Sequence, residues 1–511
     1  MVILGPPGTG KTTRLLEIVD EKLQDGVQPD EIAFCSFTRK AAYEARDRAI
    51  EKFPHLTPKK LPYFSTLHSL GYRRLQLAKT DVMQWNDWQA ISNMVGMKFY
   101  GGRDMTDDID AIPAGQQEGD AYYHQYCLAR AKRMDPEKHY NSLPIAVRHE
   151  LKLPRFKQFI NQLEIYKAEK GLLDYSDMID AAIPIGALPG VKVAIIDEAQ
   201  DLNRQQWDLV EALFSEVDEI YIAGDDDQAI YRWSGADLDT FLNLKGNREV
   251  LKKSWRLPPE IWMYANRFTS RIKNRYDKEW GPNPDKKGSV KFVEKPIHAP
   301  IADGGEWLIL VRNGYMIKDL TLVLMRLGVP FSIKGKPFAD EMDLRAIQVW
   351  ERMRKGDKFS RYECQNVYNH MRGNTDIKRG FKDLDCMEEE QAGIALLTEK
   401  YGLKVGRNLH WYDALHNIDP RKVAYYRRVL RRGEDIKGTP RVNVSTIHGI
   451  KGGEADNVLL LNSLAPKTRK GLDDYPDDEH RVFYVGATRA RENLYMCRMP
   501  DRYVYPIPQR A

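Results

Sequence analysis

At roughly 150 residues per domain, a chain of 511 residues has room for three or four domains. Apolar residues make up 42% and the 27 prolines are spread along the length, which excludes a disordered chain. Lys and Arg number 78 against 73 Asp and Glu, a formal charge of +5. That excess is too small for a basic tail, so any nucleic-acid surface must come from local placement of charge. No apolar run approaches the ~18 residues of a membrane span. Five cysteines (Cys35, Cys127, Cys364, Cys386, Cys497) form no C-x-x-C pair, which argues against a disulfide scaffold or zinc module and for a reducing compartment. The start, Met1-Val2-Ile3-Leu4 running at once into Gly5, lacks the charge and apolar length of a signal peptide. The expectation is a soluble, intracellular, multidomain protein.

The chain opens on an apolar strand, Val2–Leu4, followed by Gly5-Pro6-Pro7-Gly8-Thr9-Gly10-Lys11-Thr12, with Thr13 next. This fits G-x-x-x-x-G-K-[ST], with a helix predicted from Lys11. Glycines let backbone N–H groups wrap phosphate oxygens, and a helix N-terminus adds partial positive charge. Lys11 would reach the β- and γ-phosphates and the Thr12 hydroxyl would ligate Mg²⁺. Short β-branched runs come next at Ile32–Cys35, Val193–Ile196 and 220–223, alternating with helical periodicity as parallel sheets require. The run Val193–Ile196 ends on Asp197-Glu198-Ala199-Gln200-Asp201. Asp197 would hold Mg²⁺ through its water shell and Glu198 would orient and polarise the attacking water. Together, phosphate loop and paired carboxylates predict nucleoside triphosphate hydrolysis.

A second set of strands is predicted at 250–253, 290–293, 308–311, 442–445 and 458–461. Two strand groups separated by helical stretches make this α/β, with two sheet domains each interrupted by a mainly helical insertion. The first insertion, 73–171, is rich in Tyr, Trp, Met and charge; the second spans 341–437. In the second, Asp419-Pro420 offers an N-cap and a first-turn proline. The helix after it carries Arg427, Arg428, Arg431 and Arg432, either a solvated face or a surface tracking a phosphate backbone.

The order of motifs then resembles the superfamily 1 DNA helicases of the UvrD/Rep type. Asp197-Glu198-Ala199-Gln200-Asp201 and Gly224-Asp225-Asp226-Asp227-Gln228-Ala229-Ile230-Tyr231-Arg232-Trp233 carry it most clearly. Ser36-Phe37-Thr38-Arg39-Lys40, Ser65-Thr66-Leu67-His68, Leu173-Asp174-Tyr175-Ser176-Asp177, Ser254-Trp255-Arg256, Ser445-Thr446-Ile447-His448-Gly449 through Glu454, and Tyr484-Val485-Gly486-Ala487-Thr488-Arg489 fall in the family's order. The resemblance implies two RecA-like domains: 1–72 with 172–246, and 247–340 with 438–511. It also implies ATP bound with Mg²⁺ between them. Arg256 and Arg489, from the second domain, match arginine fingers; the alternative is an ordinary surface ion pair. Gln228 matches a γ-phosphate sensor, Trp255 an adenine-stacking aromatic and Glu454 a ribose ligand. Tyr231 and Trp233 match single-strand stacking platforms, which accept any base. Phe37, Arg39, His68 and His448 are further DNA contacts by the same resemblance.

The function this resemblance implies is that of an ATP-dependent helicase or translocase moving 3′ to 5′ on single-stranded DNA. It would act at single/double-strand junctions in repair, replication or recombination, alone or with accessory repair or replication proteins. It is expected to be a cytoplasmic monomer, in a bacterium or phage-infected cell, with no membrane partner. The alternatives are a translocase that strips proteins from DNA, motivated by the short second insertion, and an NTP-gated module of a repair or defence complex. Three departures bear on this. No Gln motif precedes the first strand, which leaves base selectivity open between ATP and GTP. Leu67 stands where relatives place Phe, and Arg39 replaces the usual Asn. The acidic run 225–227 has no role derivable from sequence.

Overall fold

The computed structural model describes residues 1–36, 39–53, 56–99 and 117–509; the side chains of 39–41 and 146 lie outside that description. The chain divides into two compact units. The first holds Met1–Gly288 with Lys470–Thr488, the second Ser289–Arg469 with Arg489–Gln509.

The first unit is built on six strands: β1 Val2–Leu4, β2 Ile32–Cys35, β3 Phe64–Ser65, β4 Val193–Ile196, β5 Glu219–Gly224 and β6 Arg248–Val250. Their order is β3-β2-β4-β5-β1-β6 and every pairing is parallel. A parallel sheet is covered on both faces, so its central strands are continuous apolar runs rather than alternating ones. Successive side chains point to opposite faces, which splits each run between two cores. Val2, Leu4, Ala33, Cys35, Ala194 and Ile196 enter one; Ile3, Ile32, Phe34, Val193 and Ile195 enter the other. Register brings the carboxyl ends of β1, β5 and β6 level, with Leu4 opposite both Gly224 and Val250. In open parallel sheets that edge is where ligands bind. The predicted first insertion is helical, with its own core of Met83, Trp88, Ile91, Tyr122, Phe156, Phe159 and Leu163.

The second unit carries β7 Ser289–Val293, β8 Trp307–Val311, β9 Phe331–Ile333, β10 Lys336–Pro337, β13 Val442–Thr446, β14 Ala455–Leu461 and β15 Ala490–Cys497. Between them, β11 Phe359–Ser360 and β12 Gln391–Ala392 form a small antiparallel pair. The seven-stranded order is β10-β9-β13-β8-β14-β15-β7, parallel except for the β9–β10 hairpin. The second insertion is mainly helical, including Glu341–Met353, Arg361–Asn369 and Pro420–Arg431. Asp419 caps the last of these, its carboxylate accepting from the Arg421 N–H at 2.7 Å. Two mainly parallel sheets with helical segments are the α/β architecture expected of two RecA-like domains.

Two placements correct the sequence reading. The run expected to open the second sheet at 250–253 instead contributes β6 to the first, because Arg248–Val250 pairs with the exposed side of β1. Residues 247–288, and the helix Pro476–Ala487, accordingly pack with the first unit rather than the second.

Candidate active site

The phosphate loop leaves β1 tied to its neighbour strand, the Gly5 N–H donating to the Gly224 carbonyl at 2.9 Å. Thr9 closes the turn on Pro6, its N–H and hydroxyl both donating to the Pro6 carbonyl, at 3.2 and 2.8 Å. Gly8 needs to be glycine twice over. Its φ of 71° lies in the left-handed region, and a Cβ there would collide with the Arg256 Cβ. Gly10, at φ 83° and ψ 30°, caps the helix Lys11–Gln24. No acidic residue sits in that helix's first turn, so the partial positive charge of its first N–H groups is left for an external anion.

Lys11 lies against the carboxylates at the end of β4, with Nζ 3.1 Å from Asp197 Oδ1 and in contact with Glu198 Oε1. Burial alone would lower the Lys11 pKa, but Asp197 and Glu198 outweigh it and hold it above the ordinary lysine value. Burial raises the Asp197 pKa, opposed by Lys11 and reinforced by Glu198. Glu198 adopts φ 56°, a left-handed conformation uncommon outside glycine. The bend is held by its own N–H donating to Asp197 Oδ1 at 2.8 Å.

From Glu198 a hydrogen-bonded chain runs to β5. Gln200, fully buried, donates from Nε2 to Glu198 Oε2 at 2.7 Å and accepts at Oε1 from the Asp225 N–H at 3.0 Å. Asp225 Oδ2 in turn accepts from Gln228 Nε2 at 2.7 Å. The predicted water-orienting carboxylate and γ-phosphate sensor therefore share one rigid connection through Gln200, to which sequence reasoning gave no role.

The acidic run now has partners. Lys278 Nζ lies 3.0 Å from Asp225 Oδ1 and 2.9 Å from Asp227 Oδ2, and also pairs with Asp226. Its side chain and all three carboxylates are buried. Arg275 grips Asp227 with two bonds, Nε to Oδ1 at 2.8 Å and Nη2 to Oδ2 at 2.7 Å. Burial would raise Asp227, but Lys278 and Arg275 hold it below the usual carboxylate value; Asp226, where burial prevails over Lys278, is raised. Arg481, buried on the helix Pro476–Ala487, donates from Nε to the Asp226 carbonyl at 2.8 Å and also bonds the Asn274 carbonyl.

Ser254, Trp255 and Arg256 follow β6 onto the phosphate loop. The Ser254 hydroxyl donates to the Pro7 carbonyl at 2.8 Å and the Trp255 N–H to the Gly8 carbonyl at 2.7 Å. The Trp255 indole is 60% exposed, with Lys253 Nζ 4.6 Å from its ring centroid. Arg256 thus belongs to the first unit, a departure from its expected place on the second, and the reason is the β6–β1 pairing upstream of it. Arg489 and Glu454 belong to the second unit. Arg489 is buried at the start of β15, its carbonyl accepting from the Ala455 N–H at 3.1 Å, and Glu454 lies 3.8 Å from Arg491.

Of the expected DNA contacts, Trp233 is 41% exposed whereas Tyr231 is buried, its ring centroid 6.5 Å from Trp233. His68, half-buried on the helix Leu67–Arg74, meets Tyr175 edge-on at 6.2 Å. His448 is buried in the turn His448–Ile450 of the second unit. Phe37 and the Arg39 side chain lie outside the described residues. Among the described residues no helix is long and apolar enough to cross a membrane. No group of three or more His, Cys, Asp or Glu among them could hold a metal unaided. The half-buried Thr12 hydroxyl and the buried Asp197 carboxylate are oxygen donors of the kind a hard divalent cation takes when phosphate oxygens complete its shell.

A strand–loop–helix cradle beside paired carboxylates, at the carboxyl edge of a parallel sheet, defines a P-loop nucleotide-binding protein. Comparison carries this further. Residues 1–249 match the UvrD/REP helicase N-terminal domain and residues 423–500 the UvrD-like helicase C-terminal domain, so the chain belongs to the UvrD/Rep helicase family. It is 21% identical to the ATP-dependent DNA helicase Rep of Buchnera aphidicola from Schizaphis graminum, across 99% of this chain and 94% of that protein. It is 24% identical to Rep of Buchnera aphidicola from Acyrthosiphon pisum, across 99% and 96%. With the ATP-dependent DNA helicase PcrA of Bacillus subtilis it shares 22% identity across 99% and 81%.

Proposed function

We propose that this chain is an ATP-dependent DNA helicase that moves 3′ to 5′ along single-stranded DNA and opens duplexes at single/double-strand junctions, in repair, replication or recombination. The observation that carries the reading is the joined set Lys11, Asp197, Glu198, Gln200, Asp225 and Gln228 at one sheet edge. It links a hydrolytic carboxylate to a loop that ends, five residues after Gln228, in the exposed indole of Trp233. Relatives matching almost the whole chain are ATP-dependent DNA helicases.

In this reading the N–H groups of residues 5–10 and the first turn of the following helix, with Thr13 at its margin, hold the triphosphate, and Lys11 leaves its carboxylate partners for the phosphates. Mg²⁺, held by Thr12 and Asp197, would supply charge neutralisation at the β- and γ-oxygens. Glu198 orients the attacking water and takes its proton. Arg256 reaches the γ-phosphate beside the loop that its Cβ already touches. Arg489 and Glu454 are assigned to the γ-phosphate and ribose by resemblance alone. Gln228 reports the state of the γ-phosphate to the segment carrying Tyr231 and Trp233, with His68 and His448 as further strand contacts. Trp255 stacks on the base. Trp255→Ala is expected to raise the ATP concentration for half-maximal hydrolysis roughly 2- to 10-fold, read in phosphate-release assays. An unchanged value would remove Trp255 from the nucleotide site.

Strand displacement on 3′-tailed, 5′-tailed and RNA-tailed duplexes, with ATP and then GTP, tests polarity, polymer and nucleotide together. The expected result is displacement confined to the 3′-tailed DNA with ATP. Displacement only from 5′ tails would reverse the polarity. Hydrolysis without displacement, on tails that lose a bound protein, would leave a protein-stripping translocase.

A further inference from the structure

Helix Glu118–Ala131 of the first insertion runs directly beneath the segment that carries Trp233. Gly235, at φ 102°, favours this: a Cβ there would come within 3.2 Å of the Ala131 Cβ, tighter than ordinary contact, and within van der Waals contact of Leu128. The close approach sets the half-buried His124 ring of that helix beside the Trp233 indole, centroids 6.5 Å apart and planes only 26° from parallel. An imidazole from the insertion thus continues an exposed aromatic surface begun by the loop after β5.

The polar edge of that imidazole is also set. Gln125 Nε2 bonds His124 Nδ1 at 3.3 Å, and Gln125 Oε1 bonds His139 Nε2 at 3.0 Å. His139 is 2% exposed, and burial, with Lys132 and His124 adding to it, lowers its pKa to about 4. It therefore stays neutral, and Gln125 bridges the two imidazoles, with its carbonyl on His139 Nε2 and its amide nitrogen on His124 Nδ1. Exposed Lys132 and half-buried Arg232 lie on the two segments that supply these rings, Arg232 being paired with Asp478 at 3.0 Å. Adjacent aromatic faces are what a sequence-tolerant single-strand site needs, and Lys132 adds a positive charge on the same segment as His124 for the phosphates.

We infer that His124 is a base-stacking residue of the single-strand path, sharing one nucleotide with Trp233 and oriented by the Gln125–His139 pair. This rests on the DNA-motor reading above and extends it to the first insertion, from which no strand contact was expected.

Binding of labelled oligo(dT), followed by anisotropy without nucleotide, tests it in the full chain. His124→Ala is expected to weaken binding roughly 5- to 150-fold, the range for one lost base stack, and His124→Phe to restore it to within about threefold. A set of oligo(dT) strands, each with one abasic position, supplies a readout that a purely structural role would not move. At one position the abasic penalty seen with the unmodified protein should vanish in His124→Ala, and the same position should respond to Trp233→Ala. Wild-type binding by His124→Ala alongside weakened Trp233→Ala overturns the assignment of His124 and leaves the motor reading standing. So does a weakening by His124→Ala that leaves the abasic penalty intact at every position. Failure of the unmodified protein to bind oligo(dT) overturns the motor reading itself.

Discussion

Lys11→Ala is expected to lower hydrolysis at saturating single-stranded DNA by roughly 10³-fold or more while the protein stays folded. The size comes from what the ammonium does. Charge builds on the transferring phosphoryl oxygens in a site shielded from water, where a fixed cation is worth far more than in bulk solvent. Lys11 is kept beside the cradle by Asp197 at 3.1 Å and by Glu198, and exchanges these carboxylates for the phosphates when the triphosphate arrives. Alanine removes that cation without touching the strand or loop geometry, because the Gly5, Thr9 and Gly10 backbone contacts do not involve its side chain. Phosphate release paired with a far-UV circular dichroism melt reads both halves. A variant that turns over within tenfold of the unmodified protein would move the hydrolytic site elsewhere.

The second large effect is on stability. Lys278→Met leaves Asp225, Asp226 and Asp227 buried without their shared ammonium, and breaking a buried ionic group from one side costs about 3–5 kcal/mol. Arg275 offsets only the Asp227 share. The pH dependence has a definite sign. In the unmodified protein the carboxylates outweigh burial and raise the Lys278 pKa above its unfolded value of ~10.4. Its contribution is therefore complete below that pH and is lost only as pH rises through the higher folded value. In the variant the carboxylates face burial and one another, which raises their folded pKa values. The folded state then binds protons more tightly than the unfolded one, so the deficit shrinks as pH falls from 7 toward ~4. Urea midpoints at pH 7.5 and pH 5 measure this. A deficit under ~1 kcal/mol at pH 7.5, or one that widens at pH 5, would mean the cluster is not held by Lys278.

How much of this could be read from the sequence depended on how local the chemistry is. The phosphate loop and Asp197-Glu198 are each a contiguous stretch, so the strands Val2–Leu4 and Val193–Ile196 and the helix from Lys11 stood where the motifs placed them. The central strands were equally plain, because burial on both faces forces unbroken apolar runs. The boundary between units was not. The residues around Val250 read as a strand, but nothing in them says which sheet they join; pairing with β1 decided it and carried Trp255 and Arg256 with it. Asp225, Asp226 and Asp227 looked unexplained because their cations, Lys278 and Arg275, come from about fifty positions on, and Arg481 from farther still. Such pairing leaves no periodic trace. Gln200 sat inside a recognised motif, yet its bridging role appears only when β4 and β5 lie side by side. His124 carried no signal at all, since its partner Trp233 is met only across the packed insertion.

Coupling between the phosphate cradle at the carboxyl edge of the first sheet and a single-strand path on the same unit can be read in one titration. ATP hydrolysis by the unmodified chain is followed as oligo(dT) is added. Coupled sites give a saturable rise in turnover of about tenfold or more, a threshold well below the ~10³–10⁵ that completing a phosphoryl-transfer site supplies. A rate that stays flat across oligo(dT) concentrations that demonstrably bind the protein would contradict the coupling.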